Sequence, residues 1–263
     1  YVSRSSPINM VFALASTSQS VARSFELFAA FAEERRALTA IEIAERIAAP
    51  RSSCAALLKT LTDLGLISLD RRTVSYFPTA KFAELGAWLA DGSMFPEPVL
   101  ETLAALREET AETITLAAYE DLKMELVRVE RSAQAISFTA EEGQIFPVWG
   151  TGVGTAYLST LNTQQIRTLY RRAEDRRSVD ARAHPLERIL ADADHAREVG
   201  FHAARSAVFP DADAVSAPAP VKLAGRPLVI TIAGPASRMR PLETAHGERL
   251  RQAVERLELA CRA

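Results

Sequence analysis

The segment that most constrains the fold is residues 39–77, where the spacing of apolar side chains changes from helical to strand-like within one short stretch. Thr39 and Glu42 have the spacing of a capping box, in which a Thr side chain caps a helix and a Glu side chain reaches back to the cap. The helix that follows is expected to bury an apolar stripe, which consists of Ile41, Ile43, Ala44 and Ile47. The pattern therefore predicts a short helix packed against its neighbours.

A second helix is predicted over about residues 50–64, with Pro50 in its first turn and Gly65 just beyond its end. Its buried side is expected to consist of Cys54, Leu57, Leu58, Leu61 and Leu64. Its exposed side is expected to carry Arg51, Ser52, Ser53, Ala55 and Lys59. Residues 66–69 and 74–77 then have the pattern of two short strands, joined by a turn that carries Arg71 and Arg72.

Two short helices followed by a hairpin with a basic tip are typical of a winged helix-turn-helix. In that motif the second helix presents its first residues to base edges in the major groove, and the hairpin presents cations to phosphates. The candidate DNA contacts are therefore Arg51, Ser52, Ser53, Ala55 and Lys59 on the helix and Arg71, Arg72 and Tyr76 on the hairpin. A small helical bundle used only for protein contact is the alternative.

Residues 20–88 resemble the N-terminal domain of the IclR-type bacterial transcriptional regulators. Three stretches carry the resemblance: SVARSFELFAAFAEERRALTAIEIAERI for the opening helices, APRSSCAALLKTLTDLGLI for the recognition helix, and YFPTAKFAELG for the exit of the wing. The resemblance continues through about nine-tenths of the chain. It departs at Ala56, where the family usually carries an arginine, so contacts made from that position are absent here.

The resemblance implies an α+β fold, in which a winged helix-turn-helix is joined by a linker helix to an α/β effector-binding domain related to the GAF and PAS folds. It implies a cytoplasmic homodimer or dimer of dimers, whose partners are double-stranded operator DNA and a small-molecule effector. The predicted divisions are a flexible arm over residues 1–18, the winged helix-turn-helix over 19–78, the linker helix over 79–92 and the effector-binding domain over 93–263. The apolar side of the linker helix needs a partner, in a second subunit or in its own domain, and consists of Phe82, Leu85, Trp88 and Leu89.

The second half of the chain alternates predicted helices and strands. Helices are predicted over residues 95–110, 152–161, 163–173, 184–200 and from Leu242 to the end, and strands over 114–119, 124–130, 136–138, 214–221 and 227–233. In residues 124–130 the Met, Leu and Val side chains are expected to face inward and the Glu and Arg side chains outward, which is typical of an antiparallel strand. The sequence therefore predicts a mainly antiparallel sheet flanked by helices.

A glycine-rich turn over residues 150–154 leads into the helix predicted at 152. Glycines permit close backbone approach, and N–H groups at a helix start favour an anion. The turn lacks the spacing of a P-loop and the full dinucleotide-binding fingerprint. The resemblance implies that a small carboxylate effector binds here, at Gly152, Val153, Gly154 and Thr155. An ordinary helix start with close packing is the alternative.

Two further segments, residues 200–218 and 228–238, resemble the family's signature segment and its closing strand. This resemblance implies effector contacts from Ala204, Ala214, Thr231 and Ala233. Alanine replaces polar groups that the family often carries at three of these positions, so the pocket gains room and apolar surface. We therefore expect an aromatic effector, an aromatic acid or its amide. Phe138, Phe146, Trp149 and Phe201 are the candidate lining aromatics, and ordinary core packing is the alternative for each.

Composition sets broad limits on the class of protein. Hydrophobic residues at 48% and charged residues at 24% are typical of a globular protein, and the formal net charge is −2. Cys54 and Cys261 indicate no disulfide framework, and Cys54 is expected to be a buried thiol. No apolar segment is long enough to predict a membrane span.

Enzymatic chemistry finds little support in the sequence. The four histidines, which are His184, His195, His202 and His246, show no metal-ligand spacing, and no nucleophile-elbow motif occurs. We expect no catalytic residue, no metal and no cofactor, although a zinc site built from distant residues stays open. The expected function is a ligand-responsive regulator, a repressor of a catabolic operon, although the sequence does not separate repression from activation. The competing hypothesis is a small-molecule-binding protein or an enzyme whose winged helix serves only oligomerisation.

Overall fold

The computed structural model describes residues 18–90, 94–205 and 211–262, without the side chains of residues 88–90. The chain separates into two compact units, one that ends at Met94 and one that begins at Phe95. Residues 1–17 of the predicted arm lie outside the described residues, as do residues 91–92 of the predicted linker helix.

The first unit combines helices with a small antiparallel sheet. Its elements are α1 (Gln19–Glu34), β1 (Leu38–Thr39), α2 (Ala40–Arg46), α3 (Arg51–Asp63), β2 (Ile67–Asp70), β3 (Ser75–Pro78) and α4 (Ala80–Ala90). The sheet order is β1-β3-β2, so the second strand of the hairpin lies between the other two. The helix pair α2–α3 followed by the β2–β3 hairpin is the winged helix-turn-helix predicted from the sequence. The two-residue strand β1 was not predicted, because so short a segment has no periodicity.

The capping box at the start of α2 is confirmed. The Thr39 Oγ1 accepts a hydrogen bond from the Glu42 N–H at 3.3 Å, and the Glu42 Oε2 accepts one from the Thr39 N–H at 2.8 Å. Because the backbone and hydroxyl of Thr39 both donate to the Glu42 carboxylate, the pKa of Glu42 is lowered to about 2. The start of this helix is therefore set by local sequence.

The end of α3 is also set locally. Gly65 has a φ of 73°, and the Leu66 N–H donates to the Leu61 carbonyl at 2.9 Å, which is the hydrogen bond of a glycine-ended helix. Pro50 is the N-cap residue of α3 and not part of its first turn, so the helix begins one residue later than predicted.

Burial in these two helices follows the predicted stripes except at Leu57, which is only partly buried, and at Ile41 and Leu64, which are exposed. The buried members are Ile43, Ala44, Ile47, Cys54, Leu58 and Leu61. Ile41 is 52% exposed, because its angular position on α2 lies outside the arc that the other three apolar residues share. Leu64 is 53% exposed, because it is the C-cap residue, where the chain turns away from the helix. Both predictions of burial were wrong.

The helix α4 covers most of the predicted linker. The Phe82 ring stacks on the Phe28 ring with their centroids 3.8 Å apart, so this part of the apolar side packs on its own unit. Leu85, by contrast, is 61% exposed. The predictions for Trp88 and Leu89 concern side chains outside the described part of the chain.

The second unit is a sheet covered by helices. Its elements are α5 (Glu97–Thr110), β4 (Thr113–Glu120), β5 (Lys123–Glu130), β6 (Ile145–Pro147), α6 (Gly152–Leu158), α7 (Thr163–Asp175), α8 (Leu186–Val199), β7 (His202–Arg205), β8 (Ala212–Leu223), β9 (Arg226–Pro235) and α9 (Ala236–Ala260). The strand order is β6-β5-β4-β9-β8-β7, and every pair is antiparallel. This agrees with the predicted fold class.

Three details of the second unit differ from the sequence prediction. Residues 136–138 form a loop and not a strand, and Ile136 is 73% exposed. The short strands β6 and β7 were missed, because each has too few residues to show an alternation. The last helix begins at Ala236 and not at the predicted Leu242, and it contains Pro241, a residue that usually interrupts a helix.

A β-bulge explains why the predicted alternation in β5 fails. Ala117 of β4 pairs with Leu126, but the preceding Leu116 pairs with Arg128, so Val127 has no partner on β4. The extra residue shifts the faces of the strand at that point. Met124 and Leu126 are buried as predicted, whereas Val127 and Val129 are only partly buried.

The sheet has two faces with different covers. On one face, the register places Thr115, Thr231, Ser216 and His202 in one row across four strands, and the start of α6 lies above this row. On the other face Asp213 of β8 pairs with Arg240 of α9, with Nε and Oδ2 2.8 Å apart. Because side chains alternate along each strand, a residue's number decides which cover it meets.

Candidate functional site

The exposed side of α3 carries the polar residues that the sequence predicted there. Arg51, Ser52, Ser53, Ala55 and Lys59 are all exposed, and the first three occupy the first turn of the helix. The Lys59 ammonium pairs with the Asp63 carboxylate one turn along, and both side chains are largely exposed. An ion pair this exposed contributes little to stability, so Lys59 can exchange Asp63 for another anion.

The hairpin presents two further cations. Arg71 and Arg72 are exposed in the turn between β2 and β3. The Asp70 Oδ1 accepts a hydrogen bond from the Arg72 N–H at 2.8 Å, and this bond lowers the pKa of Asp70. Asp70 therefore shapes the turn and holds the two arginines at its tip.

Tyr76 differs from the other hairpin candidates. It is half-buried, packs against the core of the first unit and pairs across the sheet with Leu38 and Leu69. Its ring serves the packing of the hairpin on the helices, so only its outer part is accessible.

In the second unit a cavity of about 80 Å³ lies between the sheet and the start of α6. It is lined by Thr115, Leu126, Phe138, Phe146, Gly150, Thr151, Gly152, Val153, Ala204, Arg205, Ala212, Asp213, Ala214, Thr231 and Ala233. We call it the first cavity. Its floor is mostly apolar, because Ala204, Ala214 and Ala233 are register partners on β7, β8 and β9.

Hydroxyl groups form the polar part of this floor. Thr115 and Thr231 are register partners, and both line the first cavity. The Thr231 Oγ1 and the Ser216 Oγ are 2.8 Å apart, and both side chains are buried. The first cavity therefore offers hydroxyl groups as hydrogen-bonding partners within an otherwise apolar floor.

Close packing at the start of α6 leaves no room for a side chain at Gly154. The Thr151 Oγ1 accepts a hydrogen bond from the Gly154 N–H at 3.1 Å, so this N–H is capped by the protein. A Cβ added at Gly154 would lie 2.0 Å from the Val148 carbonyl oxygen. Gly154 consequently serves packing and does not line the first cavity, in contrast to Gly152 and Val153.

Three other predicted effector residues lie elsewhere. Trp149 is buried in the core with its ring edge-on to Tyr170, at a centroid distance of 5.5 Å. The Phe201 ring occupies the space beside Gly247 of α9, because a Cβ there would lie 2.2 Å from it. Thr155 lines a second, larger cavity next to the first. Trp149 and Phe201 therefore pack against other parts of the protein, and Thr155 lines a different cavity.

The remaining effector candidates all line the first cavity, and they are Phe138, Phe146, Gly152, Val153, Ala204, Ala214, Thr231 and Ala233. Sequence reasoning missed other lining residues, including Thr115, Leu126, Gly150 and Thr151. Thr115 had a usable signal, since it lies within a predicted strand. The side chain of Asp213 pairs with Arg240 on the opposite face, where sequence alone could not place it.

Among the described residues, no group of three or more His, Cys, Asp or Glu side chains is placed to hold a metal ion. In that same part of the chain, no helix combines the length and the apolar character needed to cross a membrane.

A helix-turn-helix with a basic wing, followed in the same chain by a separate unit that encloses a cavity, defines a class: transcriptional regulators that carry their own sensor domain. Family comparison makes this specific. The IclR helix-turn-helix domain matches residues 20–71, and the C-terminal domain of the bacterial transcriptional regulator IclR matches residues 97–259. The chain belongs to the IclR family of bacterial transcriptional regulators.

Individual relatives are more distant. The Pca regulon regulatory protein of Pseudomonas putida is 28% identical over 185 residues, which are 69% of this chain and 62% of that protein. The chain therefore matches somewhat less than two-thirds of that relative's length. The crystal structure of Thermotoga maritima IclR has a TM-score of 0.70 at 15% identity, covering 92% of this chain and 98% of that one.

A second solved structure is that of an IclR homologue from Microbacterium hydrocarbonoxydans in complex with 4-hydroxybenzoate. Its TM-score is 0.66 at 18% identity, and the match covers 92% of this chain and 99% of that chain. At these identities the two structures establish a shared fold.

Proposed function

We propose that this protein is a ligand-responsive, DNA-binding transcriptional regulator that represses a catabolic operon. The observation that carries the proposal is the exposure of Arg51, Ser52 and Ser53 on the first turn of α3, within the residues that match the family's helix-turn-helix domain. A recognition helix needs an exposed first turn with side chains that can reach base edges in the major groove.

The residues divide into two roles. Arg51 is the base reader, because a guanidinium can donate two parallel hydrogen bonds to guanine. Ser52, Ser53 and Lys59 contact bases or phosphates from the same helix. The Ala55 methyl group makes an apolar contact with the DNA there. Arg71 and Arg72 hold the DNA backbone from the hairpin, and Tyr76 contributes there only through its accessible edge.

Operator recognition by this proposal requires a homodimer or a dimer of dimers. Two subunits place two recognition helices on an inverted repeat, and the spacing of the half-sites reflects the geometry of the dimer. The exposed Leu85 on α4 is a candidate contact between subunits, since an apolar side chain of this size gains from burial. Dimerisation also doubles the number of phosphate contacts without a strongly basic chain.

The first cavity is the proposed effector site, and the proposed effector is an aromatic acid or its amide. Support comes from its alanine floor, from the aromatic walls Phe138 and Phe146, and from the hydroxyls of Thr115 and Thr231. The Microbacterium homologue was solved with 4-hydroxybenzoate, which is such an acid. The N–H groups of Gly152 and Val153 at the start of α6 are the proposed partners of the carboxylate.

The size of the first cavity adds a requirement. At about 80 Å³ it is smaller than the ~150 Å³ cavity that accommodates benzene in a protein core. An aromatic ring therefore enters only if the lining moves apart. Such a movement gives the effector different affinities for the two states of the protein, which is what any change in DNA affinity requires.

A gel-shift titration against the DNA upstream of the protein's own gene tests the proposal. We expect a shift at low salt that weakens as salt is added, because cations compete for the phosphates. Benzoate, 4-hydroxybenzoate and benzamide are then added in turn, and at least one should release the shifted DNA. No shift at low salt would favour the alternative, in which the winged helix serves oligomerisation only. If none of the three compounds changes the shift, the protein binds DNA but the proposal of an aromatic effector is wrong.

A further inference from the structure

We propose that the second unit binds a small organic anion at a second site, in the cavity enclosed by α6, α8 and the edge strand β7. This second cavity has a volume of about 450 Å³, within the ~300–1,000 Å³ that is usual for small-molecule sites. Its polar lining side chains include Thr155, His184, Arg188, Asp192, His202 and Arg205.

The second cavity is adjacent to the first but separate from it. Gly150, Thr151, Ala204 and Arg205 line both cavities, so they lie at the boundary between them. A Cβ on Gly152 would lie 2.8 Å from the Ala204 Cβ, so the start of α6 touches β7 at this boundary. A ligand in the second cavity therefore need not displace an effector from the first.

Two imidazole rings in the second cavity are available to a ligand. The His184 ring lies against Gly150, where an added Cβ would be 2.1 Å from its Cε1. His202 is half-buried and is the register partner of Ser216. Within the part of the chain that the structure describes, the ring nitrogens of His184 and His202 make no hydrogen bond to the protein. Partly buried polar groups gain from a partner, so both rings favour a polar ligand.

The charges around the second cavity favour a negative ligand. Arg188 and Arg205 are cations, whereas Asp192 is the single acid among the lining residues that the structure describes. Asp192 lies 3.8 Å from the Arg188 Nε, and Arg188 is 78% exposed, so this pair is weak and easily rearranged. A guanidinium binds carboxylate and phosphate groups in the same forked geometry, so either group suits the site.

Protonation of His202 should be linked to binding. Burial lowers the pKa of His202, which Asp192 and His195 of α8 and Glu243 of α9 also face. The ring is therefore neutral at neutral pH while the site is empty. A bound anion beside the ring favours its protonated form, so binding takes up a proton and tightens as the pH falls.

Isothermal titration calorimetry on the full chain tests the proposal, with succinate and glycerol 3-phosphate as probes at low ionic strength. We expect at least one probe to bind, and to bind more tightly at about pH 6 than at about pH 8. Binding of succinate alone identifies a carboxylate site, binding of glycerol 3-phosphate alone identifies a phosphate site, and binding of both identifies the shared chemistry. If neither binds, the proposal is wrong.

Variants then locate the binding. Arg188→Ala and His202→Gln should each weaken binding about tenfold, since each removes a hydrogen bond to a charged group. Arg171→Ala is the matched control, because Arg171 is an exposed arginine on α7 that does not line the cavity. Equal affinities in all four proteins would show non-specific attraction and overturn the proposal. A gel shift without added anion tests DNA binding separately, so failure of one proposal is distinguishable from failure of the other.

Discussion

Gly152 and Ala204 lie so close together that a Cβ added at Gly152 would be 2.8 Å from the Ala204 Cβ. Gly152 is the first residue of α6, and Ala204 belongs to β7, so this contact sets how closely the helix start approaches the sheet. The same two residues line the first cavity. The shape of the proposed effector site thus depends on the absence of a side chain at residue 152.

Replacing Gly152 by alanine should lower the free energy of unfolding by ~1–3 kcal/mol, the usual cost of overpacking a core. The double variant Gly152→Ala with Ala204→Gly should recover much of this loss, because the clashing methyl group is removed. Gly86→Ala is the control, because a Cβ at that position in α4 would have no neighbouring heavy atom within 4 Å among the described residues. Urea unfolding measures all four proteins. A single Gly152 variant as stable as the wild type would contradict the close contact.

Replacing Thr231 by valine should cost about 1–2 kcal/mol of stability, because the buried Ser216 hydroxyl loses its partner at 2.8 Å. Thr231→Ser keeps the hydroxyl and should retain most of the stability. Adding Ser216→Ala to Thr231→Val should cost less than the sum of the two single changes, since neither hydroxyl is then left unpaired. Additive losses in this double-mutant cycle would argue against the hydrogen bond.

Replacing Arg238 by methionine should be among the most damaging changes in the second unit, at ~3–5 kcal/mol. Its Nε and Nη2 donate to the two carboxylate oxygens of Glu112 at 2.6 and 2.8 Å, and the Glu112 side chain is only 2% exposed. Arg262→Met removes an exposed pair with Glu258 and should cost ~0–1 kcal/mol. Chemical denaturation compares the two variants, and similar losses would contradict the role of burial.

The first unit should lose stability in acid through Glu42. The pKa of Glu42 is lowered to about 2 in the folded chain by its hydrogen bonds from Thr39, whereas the ordinary value is ~4.3. Its contribution is therefore complete above the ordinary value and disappears as the pH falls towards the folded value. Thermal melts between about pH 5 and about pH 2 should fall less steeply for Glu42→Gln than for the wild type. Parallel pH profiles would show that the capping box does not titrate in this range.

Replacing Arg51 and replacing Arg71 should have different effects on DNA affinity. Arg51→Ala is expected to cost ~1–3 kcal/mol on operator DNA and to relax base preference, while Arg71→Ala should weaken operator and random DNA alike. Competition gel shifts with both DNAs measure the difference. Equal losses on operator and random DNA for Arg51→Ala would remove Arg51 as a base reader.

Local features of the fold were largely predictable from sequence. The capping box at Thr39, the glycine end at Gly65 and the buried stripe of α3 depend on residues within a few positions of one another. The failures had tertiary causes. The bulge at Val127 depends on pairing with β4, and the loop near Ile136 is held by the Thr113 hydroxyl, which donates to the Phe138 carbonyl at 2.7 Å.

The lining residues of the first cavity were predictable where their positions on the strands determine which residues lie side by side. Ala204, Ala214 and Ala233 lie side by side because the antiparallel register aligns them, and a family resemblance pointed to the same positions. Which aromatic residues line the first cavity was harder to predict. Phe138 and Phe146 line the cavity, but Trp149 packs in the core and Phe201 lies beside Gly247 of α9, since aromatic character alone does not predict what a ring will contact.

The sequence by itself determined most of the longer helices and strands, the capping box at Thr39, the glycine end at Gly65 and the exposed cations of α3 and the hairpin, because these follow from the periodicity and polarity of neighbouring residues. Only the tertiary structure decided which side chains meet. The row that joins Thr115, Thr231, Ser216 and His202 comes from four strands far apart in the chain. Long-range register depends on how whole strands pack, so no local pattern contained it.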